Sequence, residues 1–271
     1  MSFVGTPLGP ALTYYSPGMG CCRPDSGAIY DCARHAARQG GTGVFDFTRK
    51  RQMFEWWDAG FVDTKARNLK SVQDAWIMAE LGESKGLTIA EIGGGDSRLL
   101  RHLAPNNTCV NIDKLEGFGK GPKKDPGIEG VRTVRSYMGE FDESLEDGSF
   151  DVVFSISVIE HVPDEMVGEC FADMARLLKP GGRMLHAIDI YLYDEPTVMT
   201  RIDAYRSSAM NPELRLAWAK EPVIGEKTRF HTDYVSNSDH QLSYTRRLVK
   251  GMDEQRATMQ VCNIMMELIK Q

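Results

Sequence analysis

LTIAEIGGGDSRLL, residues 87–100, reads as an apolar strand that ends at Glu91, turns on three glycines and opens a helix at Asp96 and Ser97. Gly93, Gly94 and Gly95 lack a Cβ, so the backbone can turn sharply there and a ligand can approach it closely. The helix behind them aims its unpaired N–H groups at the same point. A nucleotide-type pocket at the carboxyl end of a first parallel strand is the expectation.

Outward from this stretch the pattern alternates. Further strands are expected over residues 108–112, 131–135, 151–157 and 183–190, and helices over 97–103 and 164–178. The second helix stops at KPGG, a proline–glycine terminator. Strands alternating with helices at this spacing imply βαβ units with helices on both faces of one sheet. DVVFSISV is almost continuously apolar, as a strand covered on both faces should be. The expected fold is therefore α/β: a Rossmann-like, doubly wound, mostly parallel sheet with a helical N-terminal cap and a C-terminal extension.

The flanks are less regular. Residues 1–43 are rich in Gly, Pro and small polar residues, with a short helical candidate at 28–39. From 45 to 81 the pattern turns helical, carried by Trp57, Val72, Trp76 and Met78 near three- and four-residue spacing. Past Tyr191, residues 193–227 look mostly helical. The extended RFHTDYVSNS follows, and then a helical region that ends the chain. The expected division is 1–86 as cap or lid, 87–192 as nucleotide-binding core and 193–271 as completion of the fold.

At 271 residues, 42% hydrophobic and 26% charged, the composition suits a soluble, well-cored protein. A net charge of −6 argues against general nucleic-acid binding. With no apolar run near the ~20 residues of a membrane span and no signal-peptide pattern at the amino terminus, the expected location is cytoplasmic. Cys109, Cys170 and Cys262 read as buried thiols, the last two on helices. Cys21, Cys22, Cys32 and His35 do not match zinc-ligand spacings, so no metal is expected.

A dinucleotide site needs G-x-G-x-x-G, and the third glycine is missing here. An acidic residue just before the turn suits an ammonium group better than a diphosphate. Asp113 ends the second strand about 20 residues on, where a carboxylate can accept from a ribose diol. In order along the chain, EIGGGDS, DGSFDVVFSISVIEHVP (residues 147–163) and ARLLKPGGRML resemble the class I S-adenosylmethionine-dependent methyltransferases, over residues 87–190.

The resemblance implies S-adenosylmethionine as cofactor, with Glu91, Gly93, Gly94 and Gly95 around its methionine part and Asp113 on its ribose. The acidic residue usual after the third strand is absent or displaced to Glu140. Tyr137 or Met138 would pack on the adenine, and Ser155 and Ile156 would pass closest to the sulfonium. The sulfonium is already activated, so a base is needed only where the acceptor holds a proton of high pKa. His161, Asp189, His231 and Asp233 are the candidates for that base, whereas His186, in mid-strand, reads as a core histidine.

The acceptor would be held by residues 1–86 and those after Tyr191, where aromatics such as Tyr14, Tyr15, Trp56, Tyr193, Tyr205 and Trp218 lie beside charges. The basic runs Arg49–Arg51 and Lys120–Lys124 read as solvated surface, or as a greeting for an anionic acceptor. A small-molecule methyl acceptor, modified at oxygen, is the leading expectation, with no nucleic-acid or membrane partner. A nicotinamide oxidoreductase and a cofactor-binding protein without turnover are the alternatives.

Overall fold

The computed structural model describes residues 45–48, 52, 55–56, 58–60, 69–117, 121–192, 195–220, 222–224 and 260–271. The candidate helix at 28–39, the Cys21–Cys32 cluster, Tyr14, Tyr15, Arg49–Arg51, Trp57, Tyr193, His231 and Asp233 lie outside these residues. Strand β1 (Asp46–Phe47) and helix α1 (Leu69–Leu81) precede β2 (Thr88–Ile92), α2 (Arg98–Leu103), β3 (Thr108–Ile112), β4 (Val131–Val134) and β5 (Phe150–Ile156). After these come α3 (Val167–Leu177), β6 (Leu178–Leu192), α4 (Glu195–Ala209), β7 (Leu216–Trp218) and β8 (Gln260–Lys270).

The sheet runs β1-β8-β6-β5-β2-β3-β4, with β7 also on β8. Strands β2 to β6 are mutually parallel, whereas β8 is antiparallel to β6, β1 and β7. Strand order reverses between β2 and β5, so the crevice beyond their carboxyl ends is the switch point where ligands bind in open α/β sheets.

Alternate residues of the central strands feed two cores. Val153, Met184 and Ile188 face one side, where α3 brings Phe171 and Met174 and α4 brings Val198, Ile202 and Tyr205. Val152, Phe154, Leu185 and Ala187 face the other, under Val72, Trp76 and Ile77 of α1 and under Trp56. Both faces being covered explains the continuous apolar run of β5. Each large side chain so buried contributes about 1.5–3 kcal/mol. Arg183 of β6 ties these layers together, donating to Glu267 of β8 (2.7 and 2.9 Å) and to Glu80 of α1 (2.6 Å).

Two expectations about the flanks are corrected. The C-terminal stretch QVCNIMMELIK is a strand paired with β6 from Arg183↔Ile269 to Leu192↔Gln260, so Cys262 lies on a strand. An apolar run covered on both faces carries neither helical nor alternating periodicity, so its type is ambiguous in the sequence. The helical pattern from residue 45 likewise begins with β1, whose Asp46 and Phe47 pair with Met265 and Ile264. Trp56, by contrast, is buried in the same cluster as Val72, Trp76 and Ile77 of α1.

Candidate active site

The glycine turn is built as the sequence requires. Gly93 and Gly95 have φ of 63° and 54°, a left-handed conformation that glycine adopts without steric cost. At Gly94 the reason is space: a Cβ would lie 2.8 Å from Asn111 Oδ1 and 2.9 Å from Glu91 Cδ. Across the switch point, a Cβ on Gly93 would lie 2.7 Å from the Val158 side chain. This cradle leaves no room for side chains.

Glu91, next to last in β2, is buried inside the protein. The Ser97 hydroxyl donates to its carboxyl and accepts from Leu100 N at 3.0 Å, capping α2. Burial lifts the Glu91 pKa to about 8; the Ser97 bond opposes the rise, and the charges of Asp74 and Asp113 add to it. Its neighbour across the strand pair, Asn111, donates from Nδ2 to Gly95 O at 3.0 Å, while its buried Oδ1 has no partner. Asp113 accepts from Gly95 N (2.9 Å) and Leu115 N (2.7 Å). A carboxylate has about four lone-pair sites, so two remain for further donors.

After β4, Tyr137 is 41% exposed and its hydroxyl donates to Glu116 at 2.8 Å. Lys114 Nζ sits 5.2 Å from the Tyr137 ring centre and donates to both Glu140 oxygens at 2.9 and 3.0 Å. That bond, with one from Tyr137 N, holds Glu140 below the ordinary carboxyl range. Met138 is buried in the core. Ser155 points its hydroxyl at His186 Nδ1 (2.8 Å), deep between the layers, and Ile156 packs on the α1 side. Burial lowers the His186 pKa to about 3 and keeps it neutral, consistent with a core histidine.

One strand further over, a second buried polar group closes the carboxyl ends of β5 and β6. Gln73 of α1 donates to Asp189 Oδ1 (2.5 Å) and Asn263 Oδ1 (3.1 Å), and accepts from the Ser157 hydroxyl (2.9 Å). Asn263 in turn donates to Thr48 Oγ1 at 2.7 Å. Burial raises the Asp189 pKa, against the opposing Lys70 charge and the bonds from Gln73 and Ser157.

Glu160 lies beside it on the 3-10 turn Ile159–His161. Neither Glu160 carboxyl oxygen reaches solvent or a hydrogen-bond partner. Burial, then the charge of Asp189, push it well above the ordinary range; nearby backbone amides and Lys70 offset only part. His161 Nε2 stands 3.9 Å from Glu160 Oε1, with its own side chain 75% exposed. Arg201 of α4 pins the turn by donating to Glu160 O (2.8 Å) and Val162 O (3.1 Å).

The structure thus gathers Glu91, the glycines and Asp113 at one end of the crevice, with Tyr137 beyond β4. Asp189 and His161 stand at the other end. Asn111, Gln73, Asn263 and Glu160 were missed. A lone polar residue in the apolar strand CVNI pointed to Asn111, and the acid beside His161 in SISVIEH pointed to Glu160. Gln73 and Asn263 had no local signal. Among the described residues no cluster of His, Cys, Asp and Glu could hold a metal ion, and no helix is long and apolar enough to cross a membrane.

Residues 90–186 match the family model described as a methyltransferase domain. The ubiquinone biosynthesis O-methyltransferase of Xanthomonas oryzae pv. oryzae is 26% identical over 141 residues, 48% of this chain and 54% of that protein. Phosphoethanolamine N-methyltransferase 1 of Triticum aestivum is 26% identical over 128 residues, 45% of this chain and 25% of that protein. The chain thus spans about a quarter to about half the length of these curated relatives. Among solved structures, the geranyl diphosphate C-methyltransferase of Streptomyces coelicolor A3(2) aligns with a TM-score of 0.46 at 12% identity, covering 92% of this chain and all (100%) of that one.

Proposed function

We propose that this chain, whose residues 90–186 form a class I methyltransferase domain, moves a methyl group from S-adenosylmethionine to oxygen on a small-molecule acceptor. The cradle at Gly94, with the unpaired Asn111 Oδ1 and the raised Glu91 carboxyl beside it, is the observation that carries the cofactor. It offers acceptors to an ammonium and no room for a side chain, and so fits the methionine part of that cofactor. The third glycine of a dinucleotide site is missing, which sets the nicotinamide reading aside.

The bound sulfonium would supply an activated methyl electrophile. Glu91, as a carboxylate, would hold the ammonium, and Asp113 would accept from the ribose hydroxyls with its free lone pairs. Of Tyr137 and Met138, the exposed Tyr137 would pack the adenine, since Met138 is buried in the core, and the end of β5 at Ser155 and Ile156 would run beneath the reacting centre. Residues 1–86 and 193–271 would shape the acceptor side. The three relatives named above methylate nitrogen, oxygen and carbon by their names, so oxygen rests on the proton-accepting groups near β6 rather than on likeness.

The test is calorimetric titration with S-adenosylmethionine, S-adenosylhomocysteine and NADH. Micromolar binding of both adenosyl ligands, lost in Asp113→Ala, is the expected result. Binding of NADH alone would sink the reading.

A further inference from the structure

We infer that Asp173, buried on α3, is a positioning residue for the cofactor: by clamping the chain at Gly139 and Phe141 it fixes the Tyr137 wall against which the adenine stacks. This rests on the methyltransferase reading.

Tyr137 stands beside the ribose carboxylate. Asp113 accepts from Leu115 N and so shapes the turn after β3. The residues on either side of Leu115 both reach the Tyr137 side chain: Lys114 Nζ lies 5.2 Å from its ring centre, and Glu116 accepts from its hydroxyl at 2.8 Å. A base joined to a ribose on Asp113 therefore meets this exposed ring, and an aromatic face stacks with a base.

The ring is held in place through a short relay. Glu140 Oε2 accepts from Tyr137 N and from the Ser136 hydroxyl, both at 3.2 Å, and Glu140 N donates to Tyr137 O at 3.2 Å. Glu140 is in turn fixed from both sides, because Asp173 Oδ2 accepts from Gly139 N at 2.9 Å and from Phe141 N at 3.0 Å. Both of these flanking residues are left-handed, with φ of 99° and 53°. In a residue with a side chain, such as Phe141, that conformation persists only where the surroundings impose it. The Phe141 ring is 42% exposed, so hydrogen bonding rather than its packing imposes it here.

The clamp takes up the whole of Asp173. Its Oδ1 accepts from Arg176 Nε at 3.0 Å and Nη2 at 2.8 Å, which brings the total to four bonds, about the capacity of a carboxylate. Arg176 also donates to Leu145 O at 2.7 Å, bracing the same loop further along. Asp173 is fully buried, and a carboxylate is costly to bury unless its oxygens are met. It acts on the cofactor through the loop alone. Without it the adenine would have to order this loop on binding, at the expense of affinity.

The experiment is calorimetric binding of S-adenosylhomocysteine and of adenosine, which lacks the amino-acid part, to the full chain and to Asp173→Ala and Gly139→Ala. Urea unfolding confirms that each variant is folded. Gly139→Ala disturbs the same clamp from the loop side, since alanine rarely adopts such a φ, and carries the test should Asp173→Ala not fold. Each folded variant should weaken both ligands by the same factor, about tenfold. Combined with Tyr137→Ala the losses should overlap, whereas combined with Glu91→Gln they should multiply. A residue needed only for stability would produce no such split.

Unchanged affinity, a loss for S-adenosylhomocysteine without one for adenosine, or losses that multiply fully with Tyr137→Ala overturn the role of Asp173 and leave the methyltransferase reading standing. An unaltered chain that binds neither S-adenosylmethionine nor S-adenosylhomocysteine overturns that reading itself, and the role of Asp173 with it.

Discussion

The two ends of the crevice bury carboxyls in opposite ways. At the cradle, Glu91 sits six residues from the hydroxyl that serves it, and Asp113 accepts from amides 18 and two residues away. At the β6 end, Asp189 is served by Gln73 across 116 residues, and Gln73 bridges to Asn263 across 190. Local polar satisfaction comes with the turn that creates it; the distant kind exists only once α1, β6 and β8 have docked. The first end is therefore fixed by its own short stretch of chain. The second is assembled from segments that the chain keeps far apart.

The largest effect is expected at Gly94. Gly94→Ala places a methyl against Asn111 and Glu91 and should weaken S-adenosylhomocysteine binding about a hundredfold or more by calorimetry, roughly 3 kcal/mol. Unchanged affinity would mean that the cradle is not the cofactor site.

Next in size is pH. Glu91 is protonated below about 8 in the free protein, so binding an ammonium there releases a proton. Affinity should rise with pH up to about 8, by at most about tenfold per unit, and Glu91→Gln should flatten the rise. Titrations in two buffers of different ionisation enthalpy read the proton directly.

The same shift bears on stability. A carboxyl whose folded pKa lies above its unfolded value of 4.5 stabilises the fold at low pH, and that contribution fades as pH rises from about 4.5 to about 8. Denaturant midpoints should therefore fall across this window, and fall less in Glu91→Gln.

At the other end, Asn263→Ala removes partners from Gln73 and Thr48 and should cost about 2 kcal/mol in urea unfolding, with cofactor affinity unchanged. A matching loss of affinity would show that the two ends are coupled. Smallest of all, Ser155→Ala leaves the His186 Nδ1 without its partner at a cost of about 1 kcal/mol. Its affinity separates a hydroxyl used only in the core from one that reaches the cofactor.

Much of the molecule was legible along the chain because its causes are local. The parallel strands, the KPGG stop and the glycine turn follow from periodicity and missing Cβ atoms, and Asp113 from its place at a strand end. The failures share one cause. QVCNIMMELIK shows no period because both its faces are covered, and β1 is two residues whose strand partner lies over two hundred residues away. Glu160 is buried and its neighbour His161 exposed, and the sequence cannot say which of two neighbours turns inward. By itself the sequence determined the parallel strands and the glycine cradle, through short-range sterics and hydrophobic pattern. Only the tertiary structure decided which polar groups meet at β6, because burial and charge act through space between segments the chain keeps far apart.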